Sequence, residues 1–417
     1  MKFGLLGIRS LCAELGNPHK SFTAVHVAGS NGKGSTAAMI AAILRSAGFK
    51  TGLYTSPHLL DYSERIRING VPIRRREVID SANELAPIVR KTGATFFETT
   101  TAIAFKHFAD FAVDVAVVET GLGGRLDSTN IVYPAVTVIT TISREHTDIL
   151  GKTLSEIAYE KAGIIKTGVA CVTGVRSATA LQIIKEHCRR KRAPLVPLAM
   201  REAGLREMSV DGTRVDLSVN GEIYSDLKIS LAGCFQVCNA GLSLLAIREL
   251  SRKASFEVTD EAVREGLART QELTGLHSRL SVISRDPLII ADVAHNAEAT
   301  QGLVKALHSI GITGISLVFG VMRDKNVRTM SRELLKIAKR VILVQPRTQR
   351  ARSALELVQF FKQGGIEPIV AGPVSNGVDL VKELEGREGP ILITGSHFVV
   401  AEALAHIRGR KYLTIDQ

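Results

Sequence analysis

Apolar runs along the 417-residue chain are short and recur in a strand–helix rhythm. The first, Val25 to Ala28, is β-branched and meets a turn holding Gly29, Gly32 and Gly34. An alanine-rich segment follows, Ala37 to Ala47, closed by Gly48, so strand, glycine turn and helix are predicted in that order. Thr51 to Tyr54 predicts a brief second strand. Val113 to Glu119 and Ala135 to Thr141 predict strands apolar enough for a parallel sheet buried on both faces, and a fifth is expected near residue 170. Helices are predicted over 5–15, 77–92, 97–111 and 153–163, and a hairpin around Asn69-Gly70. This order describes a doubly wound α/β domain. Residues 205–231 alternate around Asp211-Gly212 and Asn220-Gly221 and predict small β-hairpins, with helices over 242–251 and 260–268. Between 274 and 279 the pattern resets. A second α/β series follows, with strands over 288–293, 315–319, 341–344, 369–370 and 391–394 and a helix after His295-Asn296.

The length exceeds one ordinary core, which fits two domains. No apolar run is long enough to cross a membrane as a helix, and Arg9 comes too early for a secretory signal. Five scattered cysteines make no disulfide framework; Cys234 and Cys238 form an unmatched C-x-x-x-C, and buried thiols are expected there. A cytoplasmic protein is the reading. The formal net charge of +12 permits nucleic acid but also suits anionic small ligands. Its clusters, Arg74 to Arg76 and Arg189 to Arg192, lack interleaved aromatics, and the chain has no Trp. Solvated faces are expected, not a nucleic-acid surface or a membrane surface.

The chemistry concentrates in Thr23 to Thr36. Glycines let backbone N–H groups turn toward phosphate oxygens, the helix start adds partial positive charge, Lys33 can reach the outer phosphates and a hydroxyl can face Mg²⁺. Gly34 separates Lys33 from Ser35, so the spacing departs from the plain Walker pattern. Glu119 ends an apolar strand ahead of Gly121-Leu-Gly-Gly124, as a metal-facing acid or a simple helix cap. His146 follows another strand, and Lys161 sits on a helix behind Glu160. Ligands of open α/β sheets lie at the carboxyl ends of strands, so one pocket could hold Lys33, Ser56, Glu119 and His146. Asp292 and His295 end the first strand of the second domain, with a helix cap by Asn296 as the plainer alternative.

A set of motifs in fixed order carries a resemblance. They are Ala28-Gly-Ser-Asn-Gly-Lys-Gly-Ser35, Tyr54-Thr-Ser-Pro-His-Leu59, Glu64-Arg-Ile-Arg67, Glu119-Thr-Gly-Leu-Gly-Gly-Arg-Leu-Asp-Ser-Thr-Asn130, Glu145-His-Thr147, Glu160-Lys-Ala-Gly-Ile-Ile-Lys166, Asp292-Val-Ala-His-Asn296 and Ile393-Thr-Gly-Ser396. Over nearly the whole chain they resemble the folylpolyglutamate synthase and dihydrofolate synthase family of Mur-type ATP-dependent ligases. The resemblance implies an N-terminal P-loop ATPase domain with a small β-hairpin region over 1–276, and a smaller Rossmann-like glutamate-ligase domain over 277–417. It implies an amide ligase: ATP phosphorylates a pteroate or folate carboxylate, and the amine of L-glutamate displaces phosphate. By matching motif, Ser30, Asn31, Gly32, Lys33, Gly34 and Ser35 hold the triphosphate, and Asn239, Arg279 and Asp292 contact ATP. Ser56 and Glu119 bind one Mg²⁺ and His146 a second, helped by a carbamate on Lys161. His295 and Ser396 lie toward glutamate and the acyl phosphate. Phe97 and Asp127 meet the pterin-bearing substrate. A monomer working on small molecules is implied.

Some positions depart from the family pattern. Glu145 stands where Asp is usual and Phe235 where His is common. Gly275 to Arg279 lacks the usual Pro-Gly. Leu6-Gly7 replaces Glu-Arg in a region that helps bind dihydropteroate, and relatives usually begin further upstream. Tetrahydrofolate is therefore the firmer acceptor, and a monofunctional folylpolyglutamate synthase is the first alternative. Another Mur-type ligase would normally carry a further N-terminal domain, for which the 22 residues before Thr23 leave no room. A regulatory ATPase would give no reason for Asp292 to Asn296 or Gly395-Ser396.

Overall fold

The computed structural model describes residues 4–253, 256–277, 279–387 and 389–412. Met1 to Phe3, part of the N-terminal reading, and Ser278, inside the Gly275–Arg279 segment, lie outside the described residues. Two compact units divide the chain: Met1–Leu205 with Val215–Ser230 and Gln236–Leu276, and Arg206–Arg214 with Leu231–Phe235 and His277–Gln417.

The first unit is built on strands β1 (Thr23–Ala28), β2 (Thr51–Tyr54), β3 (Ile66–Ile68), β4 (Val71–Pro72), β5 (Val115–Glu119), β6 (Val136–Ile139), β7 (Ala170–Thr173) and β8 (Leu195–Pro197). Their order in the sheet is β4-β3-β2-β5-β1-β6-β7-β8. All pairs from β2 to β8 are parallel, and the predicted hairpin, β3 and β4, adds to the β2 edge antiparallel. β8 is missing from the sequence reading because Pro194 and Pro197 bracket a run too short to show a period. β1 and β5, the two central strands, are apolar at almost every position, as strands covered on both faces must be. The helix after β1 spans Lys33–Ser46, starting four residues ahead of the predicted Ala37, and Gly34 to Leu44 are all buried. Its alanines admit a second helix, Asp260–Ala268, so closely that a Cβ on Gly266 would come within 2.5 Å of Ile43 Cα.

Strands β9 (Met200–Ser209), β10 (Gly212–Val219) and β11 (Glu222–Ile229) form the expected small sheet, in the order β11-β10-β9. The following helix is longer than predicted, Cys234–Lys253. Its first turns bury Gln236 and Asn239, so a buried face there carries amides and shows no apolar period. Cys12, Cys171 and Cys188 are buried, but Cys234 and Cys238 are only half-buried, against expectation, because they sit on one side of the first turns of that helix. Both arginine clusters are exposed.

The second unit holds β12 (Ser281–Arg285), β13 (Leu288–Ala291), β14 (Ile315–Phe319), β15 (Ala338–Gln345), β16 (Ile369–Pro373) and β17 (Ile391–Thr394), ordered β12-β13-β17-β14-β15-β16. All are parallel except β12, an antiparallel edge that the sequence hid in a mixed run, Ser281-Val-Ile-Ser-Arg285. Leu317, Phe319, Val341, Leu343 and Leu392 form its core with Phe361, whose ring meets Phe319 edge-on at 5.6 Å.

Candidate active site

The Gly29–Ser35 loop is pinned to the end of β6. Ser30 N donates to Thr141 O at 2.8 Å, Asn31 N to Thr141 Oγ1 at 3.0 Å, and Ser143 N to Ser30 Oγ at 2.9 Å. Gly32 is left-handed, with φ 84°, and precedes the helix without a side-chain cap. The N–H groups of Lys33, Gly34 and Ser35 therefore open a helix whose geometry gives them no acceptor of its own. That is an anion cradle: converging donors at the positive end of the helix dipole. Lys33 Nζ rests on Gly29 O at 3.0 Å and Ser30 O at 3.3 Å.

Two amides brace the cradle from the helix Cys234–Lys253. Gln236 Nε2 donates to Ser35 Oγ at 3.4 Å and Asn239 Nδ2 to Gln236 Oε1 at 2.8 Å. Thr36 Oγ1 donates to Asn239 Oδ1 at 3.4 Å, and a Cβ on Gly32 would lie 2.5 Å from that same oxygen. Gln236 is missing from the predicted set of site residues; a polar pair three apart on a helix otherwise apolar inside was the available signal.

Beneath the loop lies a buried ion pair. Lys161 Nζ donates to Glu145 Oε1 and to Gly29 O, both at 2.8 Å, so Gly29 O receives both Lys33 and Lys161. Burial pushes each partner toward its neutral form. For Glu145, Lys161 and Lys33 outweigh it and bring the carboxyl down to about 2. Lys161 faces the same second cation, and burial together with Lys33 leaves its amine lowered. Two cations beside one carboxylate keep Glu145 anionic. His146 follows Glu145, half-buried, with φ 45° at the head of the short turn Thr147–Leu150.

On the other side of β1, Glu119 pairs in register with Val27. Its Oε2 accepts from Ser56 N at 3.2 Å, so the carboxylate and Ser56 stand together at adjacent strand ends. Among the described residues no cluster of three or more His, Cys, Asp or Glu could hold a metal. The Ser56–Glu119 pair is instead a sparse set of hard oxygens, of the kind Mg²⁺ accepts when it keeps waters and phosphate oxygens as its other ligands.

The side of the sheet that carries Phe97 and Asp127 was partly hidden. Arg65 is 2% exposed; its Nε donates to His58 Nδ1 at 2.8 Å, its guanidinium lies 5.5 Å from the Phe96 ring, and Nη2 is buried without a partner among the described residues. Phe97 packs on Tyr54 at 6.2 Å and on Gly121, where a Cβ would come within 2.4 Å of the ring. Asp127 is buried and caps the turn Ser128–Ile131, accepting from Leu122 N at 2.8 Å and from Thr129. The glycines after Glu119 thus serve close packing, while the N–H groups near them close the loop on itself.

The second unit gathers its own predicted residues at the ends of neighbouring strands. Asp292 accepts from Leu280 N and Ala294 N, each at 2.8 Å, and Arg279 lies in its field. Ser396 caps the helix His397–Ile407, and Asn296 caps Ala297–Ser309. His295 Nδ1 is 2.9 Å from Val293 O, and its ring lies 5.4 Å from that of His397, a neighbour absent from the predicted set.

The chain matches the Mur ligase middle domain family over residues 27–247 and the Mur ligase glutamate ligase domain family over 278–397. It is 36% identical to the dihydrofolate synthase/folylpolyglutamate synthase of Bacillus subtilis, over 96% of this chain and 94% of that protein. It is similar to the structure of Mycobacterium tuberculosis folylpolyglutamate synthase with ADP, at TM-score 0.89 and 31% identity over 98% of this chain and 95% of the other. It is also similar to E. coli FolC with DHPP and ADP, at TM-score 0.88 and 28% identity over 98% and 94%.

Proposed function

The chain belongs to the dihydrofolate synthase/folylpolyglutamate synthase family of Mur ligases, and on that premise we propose how its residues divide the work of ATP-dependent glutamate ligation to folates. The reaction joins L-glutamate to the carboxylate of a reduced folate and of dihydropteroate, giving ADP and phosphate. A carboxylate oxygen attacks the terminal phosphorus of ATP. The glutamate amine then attacks the acyl carbon, loses a proton, and phosphate leaves with that oxygen. The first step depends on positioning and on positive charge around the phosphates. The observation that carries this reading is the pinned, uncapped Gly29–Ser35 cradle with Lys33 and Lys161 both on Gly29 O.

Ser30 to Ser35 hold the triphosphate and Lys33 neutralises its outer oxygens; Asn239, Arg279 and Asp292 contact the nucleotide. Ser56 and Glu119 would hold one Mg²⁺ and His146 a second, with a carbamate on Lys161 supplying oxygen where the buried amine now meets Glu145. Bound Mg²⁺ would offset phosphate charge and polarise the transferred group. His295 and Ser396 orient glutamate and the acyl phosphate. Phe97 offers the pterin-bearing acceptor a ring, and Asp127 shapes the loop beside it. Residues 1–276 serve ATP and acceptor, and 277–417 serve as the glutamate-ligase domain. We place the protein in the cytoplasm as a monomer acting on small molecules; no helix among the described residues is long and apolar enough to cross a membrane.

Phosphate release from purified protein with Mg-ATP and L-glutamate tests the reading, with dihydropteroate and tetrahydrofolate as acceptors in turn. Release with both is expected. Release with tetrahydrofolate alone narrows the enzyme to a folylpolyglutamate synthase, and acceptor-independent ATP turnover would defeat the ligase reading.

A further inference from the structure

A chain of hydrogen bonds runs from the strand that feeds the phosphate cradle into the loop beside the acceptor. His26 sits in the middle of β1, between Val118 on β5 and Thr137 on β6, and is 0% exposed. Its Nε2 lies 2.8 Å from Thr129 Oγ1. The Thr129 hydroxyl donates to Asp127 Oδ1 at 2.5 Å, and Thr129 N donates to the same oxygen at 3.0 Å. Leu122 N donates to Asp127 Oδ2 at 2.8 Å. A threonine hydroxyl has one proton. With that proton on Asp127, its oxygen accepts from the imidazole, so His26 carries its hydrogen on Nε2. Nδ1 is then the bare nitrogen; it is buried and has no partner among the described residues. A protonated ring would bury a second N–H with no acceptor, in the field of Lys166, and burial holds this histidine neutral down to about pH 3.

We propose that His26 is a positioning residue for the acceptor substrate, donating to Thr129 and so fixing Asp127 and the Gly121–Leu122 turn against the Phe97 ring. This rests on the folate-ligase reading of the site. The cradle does not depend on the imidazole, because Glu119 and the Gly29–Ser35 loop are held by the β1–β5 ladder and by Thr141 and Ser143. Loss of the donor should therefore weaken acceptor use and spare ATP.

Steady-state kinetics on the full chain test this with His26→Leu, His26→Gln and Thr129→Val. His26→Leu should raise KM for tetrahydrofolate about tenfold while KM for ATP stays within about twofold, the size of one buried hydrogen bond. His26→Gln, which returns an amide donor, should recover most of the loss. Thr129→Val, which also removes the hydroxyl from Asp127, should raise the same KM at least as much, and the double variant should add little to it. Equal rises in both KM values, or an unchanged acceptor KM in Thr129→Val, overturn the role. Nitrogen-15 NMR of the wild-type histidines reads it without mutation. A neutral Nε2–H ring between about pH 5 and 8 is expected, and an Nδ1–H ring overturns the chain of bonds. Wild-type protein inactive with tetrahydrofolate would fail the functional reading itself. An active wild type with an indifferent His26→Leu would fail only the positioning role.

Discussion

The loops after β1 and after β5 leave strands that pair in register, Val27 beside Glu119, and both are rich in glycine. In the first, backbone bonds to Thr141 and Ser143 fix the base, and the N–H groups at the helix start face outward without a cap. In the second, Asp127 takes Leu122 N and Thr129 N, Arg125 N donates to Glu160 O at 2.7 Å, and Asn130 Nδ2 donates to Arg125 O at 2.9 Å. A glycine loop at a strand end is an anion site only where its donors stay open. Where a carboxylate closes the loop, the glycines serve close approach: a Cβ on Gly124 would come within 2.8 Å of Ile164 Cγ2. One loop leaves backbone donors open at a helix start, and the other closes into a shaped wall.

The largest effect should come from the open loop. Lys33→Ala should lower kcat about a thousandfold, because a cation facing transferred phosphate is lost. ADP formation within about tenfold of wild type would contradict it. Lys161→Ala should lower turnover by about a hundredfold or more, since the oxygens of the proposed carbamate are lost, and bicarbonate or a short carboxylic acid should partly restore it. Full activity without additives would remove the carbamate.

A matched pair of glycine variants separates the loops. Gly32→Ala forces a side chain into a left-handed position against Asn239 and should raise KM for ATP about tenfold. Gly121→Ala presses on Phe97 and should raise the acceptor KM by a similar factor with ATP little changed. Both variants affecting the same substrate would break the comparison.

The smallest effect is on stability. His26 is depressed to about 3 from an ordinary 6.5, so between those values the unfolded chain binds more protons than the folded one. Stability therefore rises with pH across that window and is fully present above it. His26→Gln should flatten this acid limb in urea titrations; an unchanged slope would mean the ring is not buried as a neutral group.

Much of this was legible in the sequence where one residue type does one job. The strand–glycine–helix unit, Glu119 at a strand end and the reset near residue 276 follow from period and composition. Other parts were hidden because chemistry replaced the apolar pattern. Gln236 and Asn239 bury amides where a helix should show leucines, so the predicted helix begins later than the real one. Arg65 looks like a surface charge in Glu64-Arg-Ile-Arg67, yet it is among the largest fully buried side chains. His26 reads as a break in an apolar strand, and only the fold brings Thr129, 103 residues away, within 2.8 Å. The function of the glycines after Glu119 depends on Asp127, whose donors no spacing rule assigns.

The most direct measurement follows oxygen. With both carboxylate oxygens of the acceptor labelled as oxygen-18, turnover with Mg-ATP and L-glutamate should place one labelled oxygen in each released phosphate. Phosphate carrying no label would mean that water, and not the acceptor carboxylate, receives the phosphoryl group held over Gly29–Ser35, and the ligase account would fall.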